Sequence, residues 1–184
     1  MQLKEIQDLL KKTSARREER EFAAKIIQNS PEGCATLMKA ILQGDREMQI
    51  KGCWVLEIVL LNDPTLLESH AKRFMNLIGN LTHGSAIRPV AKILAFWCEA
   101  AYSGKNTDYP PLDTNEPERM AKSCFSWMLE DHPVAVKVYS MEALFHLGKE
   151  MSWIHPELKA YLLKHYANQS PGFQARAKRL LKKL

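Results

Sequence analysis

The amino-acid sequence predicts an all-α protein, and three observations carry this prediction. Almost every segment of the 184 residues places apolar side chains at a helical period. Proline, glycine, serine and aspartate residues interrupt that period at well-marked points. No stretch shows a competing strand pattern, and even the very apolar residues 54–61 continue a long helical pattern. A helix that is apolar on all sides is a buried helix, so we expect this one to be covered by several neighbours.

The interruptions mark where the helices begin. Ser30, Asp63 and Ser170 each precede a proline, which suits the first helical turn because its missing N–H needs no partner there. Each of these side chains can accept a hydrogen bond from a backbone N–H of that turn. The pattern predicts about ten helices, at residues 2–12, 15–29, 31–43, 46–62, 64–80, 86–102, 117–131, 133–148, 156–168 and 171–183.

Four of the even-numbered helices resemble one another in sequence. Each has a small or aliphatic residue, then a lysine or arginine in an early turn, and then an apolar stripe. The basic residues lie at intervals of 37, 49 and 39 residues and are Lys51, Arg88, Lys137 and Arg176. The middle interval is longer because it contains an insertion loop at residues 104–116. A repeated helix pair is physically reasonable, because one pair cannot bury both apolar faces and stacked pairs can.

This pattern resembles HEAT repeats, which are antiparallel helix pairs with an early apolar–basic step in the second helix and a period of about 40 residues. The resemblance covers essentially the whole chain and implies a single domain, residues 1–184. Its fold would be an αα superhelix of the HEAT or armadillo type, with about five antiparallel helix pairs. The implied repeats are residues 1–29, 31–62, 64–102, 117–148 and 156–184.

Composition excludes several classes of protein. With 46% hydrophobic and 26% charged residues, the chain is neither disordered nor of low complexity. The longest unbroken apolar run, Ile93 to Cys98, is far shorter than the roughly 18 residues of a membrane span. The N-terminal residues lack the apolar core of a signal peptide, so we expect no secretory leader.

Cysteine and histidine spacing gives no sign of a metal or cofactor site. The four cysteines form no Cys-X-X-Cys pair, and the six histidines form no metal-binding motif. A Gly-rich phosphate loop and a nucleophile elbow are also missing from the sequence. We therefore expect no cofactor and no metal, and we predict buried free thiols in a cytoplasmic protein.

The row of equivalent basic residues is the main candidate binding site: Lys51, Arg88, Lys137 and Arg176. Equivalent positions of stacked repeats line up on one face, where such a row could hold phosphates or an acidic partner. The structural alternative, which we favour, is that each residue bonds to an acidic or carbonyl group of a neighbouring repeat. Asp45 and Asp131, at adjoining turns, are the candidate partners.

The last helix is a secondary candidate surface. The formal net charge of +5 resides in residues 171–184, which hold five basic residues and no acidic one. Four of these basic residues are the secondary candidates: Lys178, Arg179, Lys182 and Lys183. They could contact nucleic acid or an anionic membrane surface. Cations near a helix C-terminus are also favourable by roughly 0.3–1 kcal/mol each without a partner, which favours a solvated capping helix.

Three glutamates and two tryptophans raise the question of catalysis. Glu57, Glu99 and Glu142 lie within apolar helices, where burial could raise a carboxyl pKa and produce a general acid or base. We favour pairing with basic residues of a neighbouring repeat, or a position at a helix edge, because nothing pairs these groups at catalytic spacing. A distant resemblance to HEAT-like alkylpurine DNA glycosylases would imply an aromatic cleft beside a carboxylate. Trp54 with Glu57 and Trp97 with Glu99 are the pairs to test, although such apolar surroundings favour core tryptophans.

The insertion loop contains Tyr109 beside two prolines and could dock a partner or cover one end of a groove. Taken together, these features predict a non-catalytic scaffold that binds a protein partner through a groove of helical repeats. The alternative is a nucleic-acid-binding protein of the same fold, including a divergent DNA alkylation-repair glycosylase.

Overall fold

The computed structural model describes residues 1–102, 107–113 and 115–184, and all regular structure in these ranges is helical. They contain ten α-helices and, after α9, a short 3-10 helix at Tyr166–Asn168. The α-helices are α1 (Leu3–Lys12), α2 (Arg17–Gln28), α3 (Gly33–Gln43), α4 (Arg46–Asn62), α5 (Leu66–Asn80), α6 (Gly84–Tyr102), α7 (Glu116–Leu129), α8 (Val134–Leu147), α9 (Ile154–His165) and α10 (Pro171–Leu181). The predicted all-α class is confirmed, and every predicted helix end lies within three residues of the observed one.

Side-chain caps explain where two of the even-numbered helices begin. Asp45 Oδ1 accepts a hydrogen bond from the Met48 N–H at 2.9 Å, in the first turn of α4. Ser170 Oγ accepts one from the Phe173 N–H at 3.4 Å, and Pro171 is the first residue of α10. The predicted cap at Ser170 is therefore confirmed.

The other two predicted caps are wrong. The Ser30 hydroxyl donates back to the Ile26 carbonyl of α2 at 2.7 Å and so closes the preceding helix. Asp63 Oδ1 accepts from the Thr65 hydroxyl at 2.5 Å, so it pairs with a side chain rather than with an N–H of α5. In both cases the next helix begins three residues after the predicted cap, at Gly33 and at Leu66, so neither side chain occupies the N-cap position.

The described residues form two compact units. Unit 1 comprises Met1–Ile93 and Asp108–Pro110, and unit 2 comprises the described parts of Leu94–Thr107 and Pro111–Leu184. The boundary falls within α6, between Ile93 and Leu94. The expectation of a single repeat domain stays a prediction.

Unit 1 is organised around α3 and α4. Helix α3 contacts α1, α2, α4 and α5, and helix α4 contacts α1, α2 and α3. Fully buried side chains such as Leu37, Leu56 and Phe74 form the core between these helices. At Gly52 a Cβ atom would collide with Ile41, so the glycine allows α4 to approach α3 closely.

Unit 2 is organised around α8, which contacts α7, α9 and α10. Its core includes the fully buried side chains of Trp97, Met128, Leu144 and Phe173. The apolar surface of α8 is therefore covered by several neighbours, which explains why its sequence is apolar over most of its circumference.

All four cysteines are free and buried, as predicted. Burial raises the pKa of the Cys34 and Cys124 thiols to about 12. Burial also raises the thiol pKa values of Cys53 and Cys98 far above the ordinary range. These groups remain protonated at neutral pH and behave as small apolar side chains.

Part of the predicted insertion loop, residues 104–106 and 114, lies outside the described residues. Within the described part, Tyr109 is half-buried, and burial raises the pKa of its hydroxyl to about 12. Glu116, at the start of α7, accepts a hydrogen bond from the Asp113 N–H at 3.0 Å and so fixes the end of this segment.

Candidate functional site

Glu57 of α4 lies between two cations of α6. Its Oε2 accepts a hydrogen bond from Arg88 Nη2 and its Oε1 accepts one from Lys92 Nζ, both at 2.9 Å. The Glu57 side chain is only 10% exposed, whereas those of Arg88 and Lys92 are 31% and 26% exposed. We call these three residues the Glu57 cluster. Each carboxylate oxygen has its own cation, so the buried negative charge is compensated on both sides.

The Glu57 cluster forms part of a groove of about 670 Å³ in unit 1. Residues of α2, α4 and α6 line this unit 1 groove. Its charged lining residues are five cations and two carboxylates, namely Arg17, Arg20, Lys25, Arg88, Lys92, Glu21 and Glu57. The groove therefore has an excess of positive charge, which attracts anionic groups.

Two of the arginines on α2 differ in how they are held. Arg17 Nε donates to Glu21 Oε1 at 2.7 Å, in an exposed pair within the helix. The Arg20 guanidinium lies 5.8 Å from the ring centre of Trp54, and its buried Nε has no hydrogen-bond partner among the described residues. A cation over an aromatic face keeps its outward N–H groups available for a further acceptor.

Glu142 of α8 is the centre of a similar arrangement in unit 2. Its Oε1 accepts hydrogen bonds from both Arg176 Nη1 and Arg179 Nη2 of α10. The Glu142 side chain is 12% exposed, and those of Arg176 and Arg179 are 34% and 54% exposed. We call these three residues the Glu142 cluster. Because one oxygen receives both bonds, the two guanidinium groups lie side by side.

The Glu142 cluster borders a cavity of about 360 Å³, the unit 2 cavity, which α6, α8 and α10 line. Its other lining side chains include two phenylalanines, a tyrosine and three titratable groups: Phe96, Phe145, Tyr139, Glu99, His146 and Lys183. The buried His146 Nδ1 has no hydrogen-bond partner among the described residues, and burial lowers the pKa of this histidine. Burial therefore favours the neutral form of this imidazole at the cavity.

The structure places the predicted basic row in several different environments. Lys51 Nζ donates to the Lys11 carbonyl at 3.0 Å and pairs with Glu47 at 2.9 Å. Arg88 and Arg176 bond to glutamates of the preceding even-numbered helix. Lys137 is half-buried and makes no hydrogen bond or ion pair with any described residue.

Both candidate partners of the row are wrong. Asp45 caps α4 at the Met48 N–H, and Asp131 forms no ion pair with Lys137. The favoured interpretation of the glutamates is confirmed for Glu57 and Glu142, which do pair with basic residues. Glu99 is exposed and lies at the unit 2 cavity.

The secondary candidates do not form one surface with a common environment. Lys178 is exposed on α10, and Lys182 is exposed directly after the end of that helix. Arg179 and Lys183 line the unit 2 cavity. Tyr109 belongs to unit 1 and is not among the residues that line the unit 1 groove. A binding role for these residues stays a prediction.

The tryptophan pairs do not build an aromatic cleft. Trp97 is fully buried, so it is a core residue and cannot stack on a base. Trp54 is half-buried beside Arg20, and its partner Glu57 is held by two cations. The expectation of core tryptophans in these apolar helices is thus confirmed for Trp97 and holds in part for Trp54.

Sequence reasoning missed two side chains of the candidate sites, Lys92 and His146. Lys92 follows Arg88 by four residues, so it lies on the same helix face as that residue of the basic row. This spacing is a signal that could have identified Lys92. His146 gives no such signal, because its unpartnered nitrogen depends on burial among residues from three helices.

Arginine and lysine groups of this kind bind carboxylate and phosphate oxygens.

Among the described residues no group of three or more metal-ligating side chains could hold a metal ion. In the same part of the chain, every helix is too short or too polar to cross a bilayer. In comparisons with known proteins, no family model, no curated protein and no solved structure matches this chain.

Proposed function

We propose that this chain is a non-catalytic scaffold of about five HEAT-like antiparallel helix pairs. The contacts between helices support this proposal, since α1 contacts α3, α3 contacts α5, α2 contacts α4, and α8 contacts α10. Stacked helix pairs make contacts of this alternating kind, first helix to first helix and second to second. The free thiols suit a reducing compartment, so a cytoplasmic location is part of the proposal.

The proposed binding surface is the unit 1 groove, and its proposed partner is an acidic segment of another protein. The observation that carries this proposal is the excess of five cations over two carboxylates along the groove. Arg20 and Lys25 have no ion pair with any described residue, so their charge is available to a partner. Complementary charge brings such a partner to the groove and fixes its register.

A protein partner fits this groove better than duplex DNA does. Strong DNA binders make roughly 6–10 phosphate contacts, and they depend on cations that are free to meet those phosphates. Three of the five cations of the groove already bond to carboxylates, namely Arg17, Arg88 and Lys92. An acidic peptide of a few residues needs fewer contacts than a duplex.

Fluorescence anisotropy tests the proposal with two probes, a labelled Asp/Glu-rich peptide and a labelled DNA duplex, titrated at low and at physiological salt. We expect the peptide to bind more tightly than the duplex. Replacing Arg20 and Lys25 together by Gln should weaken peptide binding about tenfold, because two unpaired cations of the groove are lost. Lys72→Gln, an exposed charge change on α5, is the matched control and should leave affinity unchanged.

Two outcomes would overturn this assignment. Tighter binding of the duplex, with an affinity that falls steeply as salt rises, would establish the nucleic-acid alternative. Equal loss of peptide affinity in Lys72→Gln and in the double variant would show that general charge attraction, and not the unit 1 groove, binds the peptide.

A further inference from the structure

The unit 2 cavity has features that the proposed scaffold role does not use. It lies within unit 2 and shares no lining residue with the unit 1 groove. At about 360 Å³ it has the size of a site for a small organic molecule. Its lining combines adjacent cations with aromatic walls, and this combination limits the ligands it would accept.

The cations of the cavity are concentrated at the Glu142 cluster. Arg176 and Arg179 each use one N–H group on the same oxygen of Glu142. A guanidinium group has five N–H donors, so most donors of this pair remain for a ligand. One carboxylate faces two guanidinium groups, and Lys183 adds a further positive charge at the cavity. This arrangement fits an oxyanion, whose several oxygens can bond to both arginines at once.

The walls of the cavity favour a planar apolar body. The Phe96 side chain is 42% exposed even though it is large and apolar, and it lines the cavity together with Phe145 and Tyr139. The Phe145 ring already stacks on His155, with the ring centres 5.6 Å apart, and Lys183 Nζ lies 5.7 Å from its centre. An aromatic ring of a ligand that covers Phe96 would bury apolar surface and could stack on that side chain. Glu99, also at the cavity, can accept a hydrogen bond from an N–H or O–H group of such a ring.

His146 adds a polar group inside the cavity whose bonding is incomplete. Its buried Nδ1 lacks a hydrogen-bond partner among the described residues. A buried polar atom without a partner is costly. Because this nitrogen has almost no exposed surface, the histidine is part of the cavity wall, where its ring also meets Phe145 edge to face with the ring centres 5.4 Å apart.

We infer that the unit 2 cavity binds a small aromatic oxyanion, a phosphate or carboxylate carried on a planar ring. The oxyanion meets the free N–H groups of Arg176 and Arg179, and the ring lies against Phe96. This site is independent of the acidic partner proposed for the unit 1 groove.

Calorimetric and NMR titration of the full chain tests the inference with four probes. Phenyl phosphate and benzoate carry both a ring and an oxyanion, whereas inorganic phosphate and phenol each lack one of these parts. We expect phenyl phosphate to bind most tightly, with a Kd on the order of 1 mM or below, as is usual for a ligand of this size. Its binding should shift the NMR signals of the His146 ring.

Three variants separate the site from general charge attraction. Arg179→Gln should weaken phenyl phosphate binding about tenfold, because one guanidinium of the pair is lost. Lys178→Gln removes an exposed charge of the same helix that does not line the cavity, and it should change nothing. Phe96→Ser should weaken phenyl phosphate about fivefold and leave the weak binding of inorganic phosphate as it was.

The outcomes are distinct. Tighter binding of benzoate than of phenyl phosphate, with the same dependence on Arg179 and Phe96, would still support an aromatic oxyanion site and assign it to carboxylates. Three results would overturn the inference. Phenol could bind as tightly as phenyl phosphate does, or Arg179→Gln and Lys178→Gln could lose equal affinity. The third is that neither phenyl phosphate nor benzoate shows saturable binding. If Arg179→Gln fails to fold, the response to Phe96→Ser and the His146 signals decide the question. None of these results depends on whether an acidic peptide binds the unit 1 groove.

Discussion

The Glu57 and Glu142 clusters each combine one glutamate with two cations, yet they distribute the bonds of their carboxylates differently. Glu57 gives one oxygen to an arginine and the other to a lysine, and both cations are less than one-third exposed. Glu142 gives a single oxygen to two arginines, one of which is more than half exposed. The first arrangement uses the whole carboxylate to compensate buried charge. The second places both guanidinium groups on one oxygen, at the edge of the unit 2 cavity.

The largest expected effect is a loss of stability in Glu57→Gln. This change leaves Arg88 and Lys92 without their carboxylate in a partly buried position. Removing one partner of a fully buried ion pair costs about 3–5 kcal/mol, and the partial exposure of both cations reduces this to about 2–3 kcal/mol. Urea denaturation followed by circular dichroism measures the change. Glu47→Gln, which removes an exposed partner of Lys51, is the control and should change the free energy of unfolding by less than about 0.5 kcal/mol.

A smaller loss is expected for Glu142→Gln. The two arginines of this cluster are more exposed, so water replaces part of the lost interaction, and we expect about 1–2 kcal/mol. The same denaturation experiment gives the value. A loss as large as that of Glu57→Gln would contradict the difference between the two clusters.

A pH effect should distinguish the unit 2 cavity further. Burial lowers the pKa of His146, while the nearby charges of Glu99, Lys149, Glu142 and Lys183 partly offset one another. The unfolded chain therefore binds a proton at His146 more readily than the folded chain does. Stability should fall as the pH drops through about 6.5, the ordinary pKa of histidine, and the loss should level off below the folded pKa.

Urea midpoints at pH 7.5, 6.5 and 5.5 measure this effect in the wild type and in His146→Gln. The variant should lose less stability on acidification than the wild type, because the remaining titrating groups are common to both. Identical pH profiles would show that His146 is not the group responsible.

The smallest expected effect is that of Lys137→Gln, in the basic row. Arg88→Gln breaks a contact with Glu57 and should cost about 1–2 kcal/mol, whereas Lys137→Gln should change stability by less than about 0.5 kcal/mol. The reason is that Lys137 has no hydrogen bond or ion pair with a described residue. Thermal unfolding of the two variants side by side checks this order. Equal effects would mean that the row acts as one structural element.

The sequence predicted the helices well because their ends depend on local chemistry. A proline, a glycine or a capping side chain acts within one turn, so residues such as Asp45 and Ser170 reveal a helix start without knowledge of the fold. The predicted caps at Ser30 and Asp63 are wrong because α3 and α5 begin three residues later, so a residue before proline marks the break between helices and not the first residue of the next one.

The candidate site was less predictable because it depends on contacts between distant helices. The sequence indicated that Glu57 and Glu142 need basic partners, and the structure agrees. It did not identify those partners, which lie 31 to 37 residues away along the chain. Neither the shared oxygen of Glu142 nor the unpartnered nitrogen of His146 follows from spacing, because the first depends on the contact between α8 and α10 and the second on how His146 is buried.

The burial of every native thiol has a practical consequence for spectroscopy. Only a thiolate reacts readily with maleimides or iodoacetamides, and the four native cysteines are buried with raised pKa values. A cysteine introduced at the exposed position of Lys182 or Lys72 would therefore be the one that takes up a fluorophore or spin label. Each unit can be labelled in this way without replacing the native cysteines. Binding at the unit 1 groove and at the unit 2 cavity can then be followed separately.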